Sequence, residues 1–142
     1  MASGKRDNFV EIEGTTGTYN TDSGAVSGSF GTDEYGLAVN TYTYTSDNYR
    51  SNNKETRHSG QLAYEFYGET VDTSIQIGTS QQNVRFPGAL VIQPSNGTDE
   101  VKALGRRGTS TPNDFERAME TYVAGDLNVQ SYDSQIMINF GW

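Results

Sequence analysis

The chain has 142 residues, a hydrophobic fraction of 33%, 16 glycines and a net charge of −8, which suits one domain of strands and turns better than a helical bundle. That acidity leaves no basic patch to neutralise phosphates, so nucleic acid is not expected as a partner. With no cysteine, disulfides, thiol catalysis and thiolate metal sites are excluded.

Met1 to Arg6 lead straight into polar residues without the apolar centre of a signal peptide, so either export is unnecessary or the signal lies outside this stretch. No run approaches the ~18 apolar residues of a membrane helix, and any spanning falls to strands.

The first predicted strand, Asn8 to Glu13, puts Val10 and Ile12 on one face and Phe9, Glu11 and Glu13 on the other. Gly14 to Gly17 reads as a turn, and a Gly- and Ser-rich strand from Gly24 to Phe30 ends at the tight turn Gly31 to Glu34. The third strand, Tyr35 to Thr45, sets Leu37, Val39, Thr41 and Thr43 against Ala38, Asn40, Tyr42 and Tyr44. A polar loop from Ser46 leads to a fourth strand with Leu62, Tyr64 and Phe66 on one face. After a turn at Tyr67 to Glu69, Val71, Thr73, Ile75 and Ile77 alternate with Asp72, Ser74 and Gln76.

From Gln81 to Arg117 the period vanishes and Pro87, Pro94 and Pro112 gather, which predicts one long loop; loops beyond ~12 to 15 residues are usually functional or disordered. The sixth strand sets Val123, Leu127 and Val129 against Tyr122, Ala124, Asp126 and Asn128. The last places Ile136, Ile138, Phe140 and Trp142 opposite Met137, Asn139 and Gly141. Short turns fall at one end and long loops at the other, the arrangement of outer-membrane barrels. The fold expected is an all-β antiparallel up-and-down meander of about seven strands, a barrel or partial barrel, in a single domain over 1–142.

The segments Phe9 to Glu13, Gly24 to Gly31, Ser46 to Asn53, Arg85 to Leu90 and Pro112 to Phe115, in that order, resemble the early barrel strands of TonB-dependent outer-membrane receptors. The resemblance covers nearly the whole chain. It implies part of a barrel of ~22 strands, without the plug and partner-binding box such receptors carry. It further implies uptake of a chelate or glycan through long outward loops. Carried over, Tyr49, Arg50, Arg85, Arg106 and Arg107 become candidate contacts for an anionic chelate or a sugar. Localisation would be the bacterial outer membrane, with lipid and either other barrel strands or another copy of the chain as partners.

Other signals have plainer readings. Arg106-Arg107 could clasp a carboxylate or phosphate, although paired loop arginines are usually solvated. The acidic loop residues lack the spacing of a calcium loop. His58 is the only histidine and belongs to no legible triad. Glu11 with Glu13, or Glu65 with Asp72, could act as a carboxylate pair in glycosidase chemistry, but polar lumen residues explain them at least as well. Neither enzyme activity nor a cofactor is expected. The rival is a soluble secreted β-domain acting in carbohydrate binding or adhesion, which the mean hydropathy of −0.68 favours.

Overall fold

Alternating segments joined by tight turns pair most readily with their neighbours in sequence, and seven in a row favour a meander. The computed structural model of the protein, described over residues 8–89, 109–131 and 133–142, has this arrangement. In chain order, β1 (Phe9–Gly17), β2 (Thr21–Gly31), β3 (Tyr35–Ser46), β4 (Glu55–Tyr67), β5 (Val71–Arg85), β6 (Phe115–Ser131) and β7 (Ser134–Gly141) form one sheet. Every neighbouring pair is antiparallel. The sheet is open, because β1 and β7 do not pair with each other among the described residues.

Three boundaries differ from the sequence expectation. Gly14 to Gly17 are strand, paired with Gly24 to Thr21, and the chain reverses at Tyr19 and Asn20. Both have positive φ, 60° and 53°, and Thr21 N–H donates to Thr18 C=O at 3.3 Å. These are the features of a type I′ hairpin, hidden because Tyr-Asn stands where glycine is the usual signal. The long loop is shorter than 81–117, since β5 continues to Arg85 and β6 starts at Phe115. Likewise β4 begins at Glu55, which confines the loop after β3 to residues 47–54.

Residues paired across an antiparallel ladder project to the same side, so the register defines two faces. One is polar, with carboxylates at Glu11, Glu13, Glu65, Asp72, Glu120 and Asp126, hydroxyls and amides between them, and Arg57 as its one basic side chain among the described residues. The other is apolar. Val10, Gly28, Val39, Leu62, Ile77 and Val123 form one continuous row of partners across six strands. Phe30, Leu37, Tyr64, Ile75, Gly125 and Phe140 form the adjacent row. The charges of this face, Asp22, Arg85 and Arg117, all lie at the long-loop rim.

The apolar band is inclined to the hydrogen bonds. It sits at Val10 and Ile12 on β1 but reaches down to Val71, Val129 and Ile136 on β5 to β7. A drift of about four residues over six strand spacings corresponds to a slope of roughly 25°. Strands must tilt in this way for a level band to encircle a barrel.

No hydrophobic side chain is buried among the described residues: Ile12 is 76% exposed, Ile136 58% and Ile77 47%. A single-layer sheet has nothing to place behind its apolar face.

Candidate functional site

The best-connected part of the molecule outside the ladders is the rim where the longer loops gather. Its foundation is Ser46, at the end of β3, whose side chain is 2% exposed. The Ser46 hydroxyl bonds the Thr21 hydroxyl at 2.7 Å and accepts from the Asn48 backbone N–H at 3.1 Å. Asn48 then takes a positive φ of 54° and donates its amide to the Asn53 carbonyl at 2.6 Å, which folds residues 47–54 into a tight loop.

On one side this loop is tied to the β1–β2 hairpin. Asp47 N–H donates to Tyr19 C=O at 2.9 Å, the Asn20 amide donates to the Asp47 carboxylate at 2.7 Å, and the Tyr49 ring meets Tyr19 edge-on at 5.8 Å. The Asp47 carboxyl is held below its ordinary range, chiefly by the Asn20 amide. Desolvation opposes the shift, and Lys54, 3.5 Å away, reinforces it.

On the other side it grips the loop between β5 and β6. The Arg50 guanidinium donates to Gly88 C=O at 2.7 Å and Pro87 C=O at 3.3 Å. Asn52, also at positive φ, donates its amide to the carbonyls of Thr111 at 2.5 Å, Phe86 at 2.9 Å and Asp114 at 3.2 Å. Phe86 N–H donates to Asp114 C=O and Ser110 N–H to Pro87 C=O, closing the base of that loop.

Between the loops lies an open hollow of about 480 Å³, lined by Arg50, Lys54, Arg85, Asp47, Asn52 and Pro112 among others. Three cationic side chains around one acid make it a basic spot on a chain of net charge −8. Such a setting favours an anionic group, because guanidinium and ammonium donors match carboxylate and phosphate oxygens.

Of the residues expected to meet a ligand, Arg50 and Arg85 are brought together here. Tyr49 is not on the hollow; it packs against Tyr19 on the hairpin side. Arg106 and Arg107 lie outside the described residues. The sequence reading passed over Asn48, Asn52 and Lys54, although an Asn-rich loop is a recognised source of left-handed positions. His58 Nδ1 bonds the Thr43 hydroxyl at 2.9 Å across β3 and β4, an ordinary cross-strand pairing.

No family model, no characterised protein and no solved structure matches this chain. Among the described residues no helix is long and apolar enough to cross a membrane.

Proposed function

We propose that the sheet is a wall segment of a bacterial outer-membrane barrel of the receptor type, similar to the TonB-dependent receptors. Its apolar face meets lipid, its polar face lines the lumen, and its long-loop rim takes up a chelate or glycan carrying an anionic group. The observation that carries this reading is the apolar band, continuous over all seven strands and free of charge between the short-turn rim and the threonine-rich upper rows. A soluble monomer seldom exposes such an area, which far exceeds a patch of a few hundred Å². On β5, Val71 to Ile77 cover about 20 Å at the strand rise, a little less than the ~25 Å apolar band of outer-membrane barrels. The ligand contacts in this reading are Arg85 and Lys54, with Arg50 holding the loop that presents them.

The upper half of the same face favours a second reading. Thr41, Thr43, Thr45, Thr56, Thr79 and Thr121 replace aliphatic residues there, as on the solvated surface of a secreted carbohydrate-binding or adhesion domain.

Lipid vesicles separate the two. The chain holds a single tryptophan, Trp142, 90% exposed and joined to Val123 by backbone hydrogen bonds at 2.9 and 3.0 Å. Insertion would shift its emission to the blue and allow quenching by brominated acyl chains. A monodisperse folded monomer in plain buffer, unquenched by those vesicles, would overturn the membrane reading.

A further inference from the structure

The arginines of the strands differ in what they face. Arg57, on the polar face, is ion-paired with Glu55. Arg85 and Arg117 project from the apolar face, where Phe115 pairs with Arg85 and Asn83 with Arg117, and neither forms an ion pair among the described residues. The carboxylates of β4 to β6 all project to the opposite side of the sheet. On the strands, the one acid sharing the face of these two arginines is Asp22 on β2, three strands from β5.

Arg85 and Arg117 are diagonal neighbours across the β5–β6 ladder, so their side chains start ~7 to 8 Å apart, a span that lets both close on one phosphate. With its amide turned oxygen-first, Gln81 accepts from Arg117 Nε at 3.2 Å and Nη2 at 2.8 Å. That ties the guanidinium to the sheet and leaves Nη1 to a ligand.

We infer that Arg85 and Arg117 together hold the phosphate monoester of a membrane-lipid headgroup, whose acyl chains lie along the apolar face below. This rests on the membrane reading of the sheet.

Height, charge and surroundings agree on that occupant. A ~25 Å apolar band measured upward from Val71 on β5, at about 2.5 to 3 Å of height per tilted residue, ends between Thr79 and Gln81. Asn83 with its partner Arg117, and then Arg85, come next, in the headgroup layer of roughly 5 to 8 Å that borders the hydrocarbon. Phe115 and Met119 share their face, which places an aromatic ring at the interface and a thioether beside the first carbons of an acyl chain. A phosphate monoester carries about −1.5 to −2 charges at neutral pH and three terminal oxygens, a match for two guanidiniums, whereas a diester offers one charge and two free oxygens. Arg85 also borders the rim hollow, but Arg117 does not, so a soluble ligand in the hollow has no use for Arg117.

Partitioning of the full-length chain, followed through its single tryptophan Trp142, tests this in vesicles of phosphatidylcholine alone, with phosphatidic acid, or with phosphatidylglycerol at equal total charge. The chain has a net charge of −8, so general electrostatics oppose binding to either anionic surface and a gain reports a site. Phosphatidic acid should tighten binding about fivefold or more over phosphatidylglycerol, the effect of one arginine at a charged lipid surface being ~fivefold. Arg117→Gln and Arg85→Gln should each remove that preference while keeping the original partitioning into phosphatidylcholine. Equal binding to the two anionic vesicles, or a preference that survives Arg117→Gln, would overturn the inference. So would loss of the preference on adding millimolar inorganic phosphate, which would mean a site for a soluble anion. In each of these cases quenching of Trp142 by brominated phosphatidylcholine leaves the membrane reading standing. If Trp142 is unquenched in every vesicle, both fall together.

Discussion

The ring of Tyr122 fills the space beside Gly78, its partner across the β5–β6 ladder, where a side chain at residue 78 would otherwise stand. The same ring accepts a hydrogen bond at its hydroxyl from the Gln76 amide at 2.8 Å. An aromatic laid over a glycine in a neighbouring strand is a known way of restoring packing at a bare backbone position.

Gly78→Ala should therefore lower stability by about 1 to 3 kcal/mol, because the added methyl meets the ring and overpacking has that range of cost. In a Tyr122→Ala background the same change should be nearly neutral. A double-mutant cycle by denaturant unfolding measures the difference, and additive effects would mean that the ring is not fixed over the glycine.

The two faces make opposite predictions for one added charge. Ile77→Arg places a guanidinium in the middle of the apolar band and should weaken membrane insertion by ~2 to 4 kcal/mol. Gln76→Arg, one residue away on the polar face, should leave insertion unchanged. Partitioning of the chain between urea and vesicles reads both.

Asn52 joins three carbonyls of the β5–β6 loop to the β3–β4 loop. Asn52→Gly keeps the positive φ and removes the amide, and it should loosen that loop at a cost of about 0.5 to 1.5 kcal/mol, because the carbonyls of Phe86, Thr111 and Asp114 each keep another donor, from Thr111 Oγ1, Asp114 N–H and Phe86 N–H. Hydrogen exchange should speed up at Phe86, Ser110 and Asp114 and stay slow within the β3–β4 ladder. Uniform acceleration would show that the loops are part of the sheet's cooperative unit.

The contact between Asn20 and Asp47 makes the rim sensitive to acid. A carboxyl whose folded pKa is lowered adds stability that is present above its unfolded pKa of ~3.9 and is lost as pH falls through the folded value. Asn20→Gly retains the hairpin conformation and removes the donor, so the Asp47 carboxyl should titrate higher, toward the ordinary range. Carbon-detected NMR titration of Asp47 in both proteins gives the comparison, and an unchanged midpoint would assign the lowering to Lys54.

The sequence by itself determined the class, the strand number and the two faces. Runs such as Val71-Asp72-Thr73-Ser74-Ile75-Gln76-Ile77 can satisfy their apolar residues only by turning one side toward an apolar medium, so a period of two is visible wherever a strand crosses the band. The upper ends of the strands were illegible for the complementary reason. Around Gln81 to Arg85 and Phe115 to Arg117 the only apolar residues, Val84 and Phe115, lie on opposite faces, and backbone pairing proceeds without a hydrophobic period to announce it. The Tyr19-Asn20 turn escaped because its positive φ angles are borne by non-glycine residues, with Tyr49 packed against Tyr19.

Only the tertiary structure decided which loops meet. Arg50 lies 38 residues from Gly88 and Asn52 lies 62 residues from Asp114, and no local pattern encodes such a pairing. Bringing β3, β4, β5 and β6 into adjacent register carries those loops to one rim, where the Asn52 amide and the Arg50 guanidinium add donors to carbonyls of the β5–β6 loop.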